Sequence, residues 1–472
     1  MKRSYDQYID HSTPAFAEVS QIRKGAQEQL LKASGSAAVG GLPLVREGNS
    51  LWVDGGEAHS LILGTTGTGK SQKYVLPAVL SLLHAGESLL VTCPKGEPYQ
   101  CTAAAAQARG YRVLVLDLRN FRVGERFNPL AQARKLYQNG QRDRAVQLLN
   151  SLVYYLSAEQ AANCKDAYWP ETARGLMLGM ALVMMHRTAA QCHLGELYQM
   201  CSMGCTKQWL ADMKYVEKLD PLAADLLRGM PSDAERTLSC VCSTACSMLL
   251  GFVQQSSMRE MMSASSFELE ELADRKTILY LMLSDQDASS NALAQYIVES
   301  VYMTLTALAE EWGGRLERRF NLVLEETCNM PRLQKLPTMA AMSRGRNLRL
   351  FIVGQNLALF RSVYGDDAEA ILAECGNRVF LGNQDLQTLR TISALCGEME
   401  VDGVQRPVVP VSQLAALPQG QALVWRQYSR PYLARLPWLS EYPKEFTMAD
   451  LPVPAPAPMK GKEGVINQKK AG

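Results

Sequence analysis

The stretch Ser60-Leu61-Ile62-Leu63-Gly64-Thr65-Thr66-Gly67-Thr68-Gly69-Lys70-Ser71 decides the fold of this chain. Its last eight residues fit the pattern G-x-x-x-x-G-K-[ST], for which average residue usage gives about 0.02 chance matches in a chain of this length. The apolar run Ser60 to Leu63 reads as a strand, and Lys70 to His84 as an amphipathic helix. The loop therefore lies between a strand and a helix, as the pattern demands, and a glycine-rich surface turn does not explain that setting. Gly64, Gly67 and Gly69 let the backbone N–H groups of the loop, Thr65, Thr66 and Thr68 included, wrap a polyphosphate at a helix N-terminus. Lys70 would reach the β- and γ-phosphates of a nucleoside triphosphate, and the Ser71 hydroxyl would ligate Mg²⁺.

Outward from the loop, strand-like runs follow at Ser88 to Cys93 and Arg112 to Leu118, with an Ala-rich helix between them closed by Gly110. On the other side, Leu42 to Val53 alternates around Glu47-Gly48-Asn49 and predicts a hairpin. Strand, helix, strand, helix at this spacing predicts an α/β fold with a mostly parallel central sheet. From residue 131 to 273 the apolar period is helical and β-branched runs are scarce, which predicts an inserted all-α domain. Strand signals return at Lys276 to Leu283, Phe320 to Leu324, Leu350 to Gly354, Arg378 to Leu381 and Ala422 to Trp425. The expected division is a lead-in over 1–38, the first part of a nucleotide-binding domain over 39–130, the helical insertion over 131–273, the second part over 274–445, and a disordered Pro/Lys tail over 446–472.

The 472 residues suit two or three domains. With 47% hydrophobic and 20% charged residues the composition is globular, which excludes a disordered, collagen-like or disulfide-stapled chain. Lys plus Arg (49) nearly balances Asp plus Glu (47), so any nucleic-acid contact must come from a local patch. No run of 18 apolar residues occurs; the longest candidate, Gly175 to Met185, is too short to span a bilayer. The first twenty residues mix charges with no apolar core, so no signal peptide is expected, and the 12 cysteines read as reduced cytosolic thiols.

Phe320-Asn321-Leu322-Val323-Leu324 ends in two carboxylates, Glu325 and Glu326. At such a strand end the first acid would hold the Mg²⁺ hydration shell and the second would orient and deprotonate the attacking water; the other reading is a strand that ends in solvated acids. The strand Leu350 to Gly354 ends in Gln355, a sensor of the γ-phosphate or the water, or else a turn residue. From Thr327 to Gly365 there is no acid, while Arg332, Lys335, Arg344, Arg346, Arg349 and Arg361 are basic. Such a band serves as an arginine reaching a neighbouring subunit's γ-phosphate, as a nucleic-acid track, or as a solvated helix face. Cys201, Cys205, Cys240, Cys242 and Cys246 do not match paired zinc-ligand spacings and lie in apolar helical stretches, so no zinc is expected.

Taken in order, these residues resemble the coupling ATPases of conjugative DNA transfer and type IV secretion, RecA-like hexameric motors, over roughly Gly40 to Tyr442. The likeness rests on the segment His59 to Ser71, on Thr92-Cys-Pro-Lys-Gly-Glu97, Arg126-Phe-Asn-Pro-Leu130 and Asp166-Ala-Tyr-Trp-Pro-Glu-Thr-Ala-Arg174, and on Leu322 to Asn329 and Arg344 to Gln355. The resemblance implies ATP and Mg²⁺ at Lys70 and Ser71, acidic positions at Glu325 (toward Mg²⁺ through water) and Glu326, a trans-acting Arg344, and a sensor Gln355. It implies single-stranded DNA or a relaxase-type protein–DNA cargo, channel components as partners, and a homohexamer. Glu325 and Cys93 stand where the family usually has Asp, and the transmembrane helices typical of the family find no counterpart. A cytoplasmic chain held peripherally at the membrane by a separate anchor protein is therefore expected. A protein-cargo sorting ATPase without DNA contact and a nucleotide-binding scaffold with weak hydrolysis are the alternatives.

Overall fold

The computed structural model describes residues 16–31, 37–284, 287–328, 332–401, 403–427 and 429–459. Strands β1 (Gln27–Leu30), β2 (Leu42–Glu47) and β3 (Ser50–Asp54) form a small antiparallel sheet in the order β1-β3-β2. β4 (Ser60–Leu63), β5 (Ser88–Cys93), β6 (Arg112–Asp117), β7 (Thr277–Met282), β8 (Phe320–Leu324), β9 (Leu348–Gly354) and β10 (Asn377–Phe380) belong to the central sheet. β11 (Glu398–Val401) and β12 (Val404–Pro407) make an isolated hairpin, and the central sheet is extended by β13 (Ala422–Trp425), antiparallel to β10, and by β14 (Tyr432–Ala434), antiparallel to β13. Its order is β14-β13-β10-β4-β9-β8-β5-β7-β6. The pairs β10–β4, β4–β9, β9–β8, β8–β5 and β5–β7 are all parallel.

Interior strands β4, β5, β7, β8 and β9 are buried at every position, which is why they read as unbroken apolar runs. The α/β expectation with a mostly parallel sheet is met. The helix after the loop differs in one respect. Ser71–Val75 is a π-type turn, and Leu76–His84 is buried on every face rather than amphipathic. It packs against β5 on one side and against β2 and the helix Glu97–Ala108 on others, so no face is left for water.

Arg349 corrects the basic band. It lies in β9, fully buried. Its Nε donates to Asn321 Oδ1 (2.9 Å), its Nη2 to Glu87 Oε2 and to the Gly40 carbonyl (both 2.9 Å), and its Nη1 to the Gly56 carbonyl (2.9 Å). This guanidinium ties the small sheet to the central one and is closed to ligands. The other charges of the band are largely paired as well: Arg332 with Asp367, Arg344 with Glu374, Arg346 with Glu310 at 3.2 Å and Arg361 with Glu369 at 2.7 Å.

The chain separates into two compact units. One holds residues 1–114, 269–285 and 297–454; the other holds 115–268, 286–296 and 455–472. Between Asp117 and Thr277 every helix or strand element is helical. In that second unit, the helix Tyr168–Met184 packs against Glu235–Val253, Pro221–Arg228 and Arg142–Asn163. Met177, Met180 and Met184 are buried, so the methionine-rich stretch is helix core. Gly179 permits the close approach to Pro221–Arg228, since a Cβ there would lie 3.1 Å from Leu227. Cys201 and Cys242 are buried in the same core, and no group of metal-ligating side chains occurs among the described residues.

Both outer segments are placed in part, and the tail differs from expectation. Within the lead-in, residues 16–31 form the helix Val19–Lys24 and strand β1, whose buried Gln29 amide donates to the Val39 (2.7 Å) and Ser81 (3.2 Å) carbonyls. Within the expected disordered tail, residues 446–459 are placed. Phe446 is fully buried, the Tyr99 hydroxyl donates to the Pro454 carbonyl, and Gly124 N donates to the Ala457 carbonyl (2.6 Å). A proline-rich segment gives up few backbone donors and can run extended along a surface on its carbonyls. The Lys-rich end, 460–472, lies outside the described residues.

Among the described residues, two helices are long and apolar enough to cross a membrane by length and composition alone: Glu235–Val253, whose window is 44% buried, and Ser289–Glu311, 72% buried as a core helix is. Ser, Thr and Cys interrupt the first and Ser, Gln, Glu and Thr the second, so neither is an unbroken apolar run.

Candidate functional site

Strand β4 delivers the chain to the carboxyl edge of the sheet, where Gly64–Ser71 turns back into the helix. Gly67 (φ +86°) and Gly69 (φ +96°) take left-handed backbone, and at Gly64 a Cβ would lie 2.6 Å from Thr68 Oγ1. The loop is pinned at its start by Gly64 N donating to the Gly354 carbonyl (3.3 Å) and Thr65 N to the Gly382 carbonyl (3.2 Å). Thr68 Oγ1 closes it on the Thr65 carbonyl at 2.8 Å. The Lys70 ammonium curls into the loop, donating to the carbonyls of Gly64 and, at 3.1 Å, Thr65. Burial lowers the Lys70 pKa, while the Glu326 and Glu325 carboxylates pull it back up.

The acids arrive from β8, two strands away with β9 between. Ser71 Oγ donates to Glu325 Oε1 at 2.7 Å. Glu325 is only 7% exposed. Burial, opposed by the Ser71 hydrogen bond and reinforced by Glu97, pushes its pKa up to about 7. Its carbonyl is held by Thr92 Oγ1 at 3.1 Å. Glu326 follows in the left-handed region (φ +54°), one of three described non-glycine residues there. Glutamate, unlike aspartate or asparagine, is not enriched in that conformation, and backbone strain of this kind concentrates at functional sites.

Lys70, Ser71, Glu325 and Glu326 are thus brought together at one sheet edge. Gln355 stands at the same edge, half-buried, directly after the Gly354 carbonyl that anchors the loop; its own carbonyl accepts from Asn383 Nδ2 (2.8 Å). Arg344 is not part of this group. It begins the short 3₁₀ turn Arg344–Arg346 that precedes β9, at the opposite edge of the sheet, close to the buried His59 and about one-third exposed.

Several groups at the site went unassigned in the sequence reading. Lys95 and Glu97, beyond the end of β5, bear electrostatically on Lys70 and Glu325. The signal was there in Thr92–Glu97, since β5 is the parallel neighbour of β8 and its carboxyl end must reach the same edge. A C-terminal strap also touches the loop. Gln419 Nε2 donates to the Gly67 carbonyl at 2.9 Å, and Lys73 Nζ donates to the carbonyls of Leu436 (2.7 Å) and Gly420 (3.3 Å). No local sequence signal connects residues 350 positions apart.

Comparison with known proteins agrees with this architecture. The chain is 22% identical to the protein VirD4 of Rhizobium radiobacter over 397 residues, which is 82% of this chain and 55% of that protein. It is 22% identical to VirD4 of Agrobacterium fabrum over 400 residues, 84% of this chain and 58% of the relative. The chain therefore spans just over half the length of these curated relatives. Its fold is similar to that of the bacterial conjugative coupling protein TrwBdeltaN70 (TM-score 0.62, 17% identity, 86% of this chain and 90% of that one). It is similar also to the plasmid coupling protein TrwB in complex with ADP and Mg²⁺ (TM-score 0.60, 17% identity, 81% and 85%). The family model described as type IV secretory system conjugative DNA transfer matches residues 17–408, and the chain belongs to that family.

Proposed function

We propose that this chain is the ATP-hydrolysing coupling protein of a conjugative type IV secretion system. It would use the ATP cycle to move or deliver single-stranded DNA, or a relaxase-type protein–DNA complex, to the transfer channel. The single observation that carries the reading is the 2.7 Å contact between Ser71 Oγ and Glu325 beside the Lys70 ammonium. A hydroxyl and a buried carboxyl, converging next to an amide-lined loop, are oxygen donors suited to Mg²⁺. Burial, with Glu97 and Glu326 nearby, raises the pKa of Glu325, so a cation there would favour its ionised form. The residues present therefore fit Mg–ATP, with Ser71 as direct ligand and Glu325 acting through water. Bound there, Mg²⁺ would offset the phosphate charge.

Within this reading the chain's own groups divide the work. The loop amides and Lys70 hold the phosphates. Glu326, on its strained turn, orients the attacking water and takes its proton. Gln355, beside the loop anchor, senses the γ-phosphate. Arg344, at the opposite edge of its own sheet, serves the site of a neighbouring subunit, which implies a homo-oligomer, a hexamer by family resemblance. The complexes named for TrwB, with ADP and Mg²⁺, with the ATP analogue ADPNP and with the GTP analogue GDPNP, support a nucleotide and Mg²⁺ at this loop. The cytoplasmic, peripheral location and the separate membrane anchor belong to the same proposal.

One observation favours a second reading. With Arg349 buried and Arg332, Arg344, Arg346 and Arg361 paired to acids, the basic band offers a DNA backbone little unpaired charge. A sorting ATPase for protein cargo would not need it. Phosphate release with and without single-stranded DNA, measured at rising protein concentration, separates the two. Stimulation by DNA, steeper at high concentration, is the result expected of the motor; turnover indifferent to DNA favours the sorter.

A further inference from the structure

The strap that touches the phosphate loop does more than brace it. After β14, the chain returns to the loop with Trp438, an indole that is 36% exposed. Its six-membered ring edge lies against Gly69, where an added Cβ would meet the ring at 3.3 Å. The Lys73 ammonium sits 4.7 Å from the ring centroid, while both of its hydrogen bonds are spent on the strap carbonyls of Leu436 and Gly420. Lys73 is therefore a staple between the helix and the strap. It is almost fully buried and does not face the phosphates. The strap backbone is held here as well: the Trp438 backbone N–H donates to Glu441 Oε1 at 2.8 Å, and the Glu441 carbonyl accepts from Arg46 Nη1 at 2.8 Å. A second strap residue, Gln419, bonds the Gly67 carbonyl.

The indole is only partly covered by Gly69 and Lys73, which leaves it 36% exposed beside the loop. Its position has a chemical use. The triphosphate of a nucleotide held by Gly64–Ser71 would leave its sugar and base outside the loop, and the partly exposed Gly69 of that loop borders the indole. A flat, pre-fixed aromatic face at that spot is a surface on which a heterocycle stacks.

We propose that Trp438, on the strap that follows β14, is the platform for the nucleotide base. The proposal rests on the nucleotide reading above and adds to it the part of the ligand that phosphate chemistry does not address. Stacking on an indole selects for a heterocycle over none. It discriminates little between adenine and guanine, because both have a π-face. The lysine staple also makes the platform part of the loop: displacement of Trp438 by a base would be felt at Lys73, three residues beyond Lys70.

The test compares binding of ATP with binding of inorganic tripolyphosphate, each with Mg²⁺, by calorimetry on the full chain. Wild type, Trp438→Ala and Trp438→Phe are compared, with thermal melting of each variant as a check on folding. The wild type should bind ATP more tightly than tripolyphosphate. Trp438→Ala should weaken ATP about tenfold and leave tripolyphosphate unchanged, whereas Trp438→Phe, which keeps a ring, should retain most of the ATP affinity. Three outcomes overturn the proposal while leaving the phosphate site intact: equal wild-type affinity for the two ligands, no change in Trp438→Ala, or equal weakening of both ligands. Wild-type protein that binds neither ligand overturns the nucleotide reading and this inference together.

Discussion

The Ser71 hydroxyl and the Glu325 carboxylate, 254 residues apart in sequence, meet at 2.7 Å across the carboxyl edge of the sheet, with β9 between the strands that carry them. The parallel register imposes that meeting. β4 pairs with β9 and β9 with β8, so the three strand ends fall at one level. The contact also bears on the glutamate at a position where the family usually has aspartate. Here the longer arm already reaches the loop serine, so Glu325→Asp should withdraw the oxygen rather than restore function. We expect Glu325→Asp and Glu325→Gln each to lower Mg²⁺-dependent ATP affinity or turnover by about 10–100-fold. Magnesium titrations of turnover check this, and an aspartate variant faster than wild type would show that the contact is incidental.

Glu326 separates chemistry from binding. Glu326→Gln keeps the shape and removes the base, so phosphate release should fall by about 10²–10⁴-fold while ATP affinity stays near wild type. Equal loss of affinity and rate would make Glu326 a binding residue. Because its backbone is left-handed (φ +54°), Glu326→Gly should also relieve strain and raise the melting temperature slightly while abolishing turnover.

Arg344 lies away from its own chain's loop, which makes complementation informative. Arg344→Ala and Glu326→Gln should each be inactive alone. Mixed, an arginine from a Glu326→Gln subunit can face the intact acid of an Arg344→Ala subunit, and activity should partly return. A mixture as inactive as its components would argue against a shared site.

Arg349 is a stability residue. Arg349→Ala leaves the buried Glu87 carboxylate and Asn321 amide without their guanidinium, and should lower the free energy of unfolding by about 3–5 kcal/mol in urea titration. The DNA dependence of any ATPase activity that survives should be unchanged, because this charge faces no solvent.

Acid should unfold the protein through two histidines. His59 accepts from Leu350 N at Nδ1 (3.1 Å) and donates from Nε2 to the Ala340 carbonyl (3.0 Å); burial and Arg344 depress its pKa to about 4. His84, buried beside Arg109, is likewise depressed to about 4. Both are neutral in the folded state at pH values where the unfolded chain, with pKa near 6.5, is protonated. Above pH 6.5 neither affects stability. Between 6.5 and 4 the unfolded chain binds more protons, so stability falls as pH drops through that window, by on the order of 3 kcal/mol per histidine once complete. Urea titrations at pH 7, 6 and 5 check the slope, and His59→Gln should flatten it.

Much of the fold was legible because the interior strands are buried on both faces and the loop motif fixes where the first one ends. The runs at Ser88–Cys93, Phe320–Leu324 and Ala422–Trp425 needed only their apolar residues and flanking turns. The acid pair was legible for the same reason, since an apolar run stops abruptly at Glu325. What could not be read locally were features made by distant partners. Tyr432–Ala434 is too short to announce a strand, and Gln27–Leu30 is polar because it pairs at an edge. Arg349 looked like surface charge until Glu87 and Asn321 enclosed it, and Trp438 and Lys73 reach the loop only through the fold.

Phosphate release from Mg–ATP by wild type, Lys70→Ala and Glu326→Gln, paired with nucleotide affinity for each, tests the central claim most directly. The account predicts turnover in the wild type, loss of binding and turnover in Lys70→Ala, and retained binding without turnover in Glu326→Gln. Wild-type protein that is folded yet binds no nucleotide, or a Glu326→Gln variant that cleaves ATP at the wild-type rate, would contradict it.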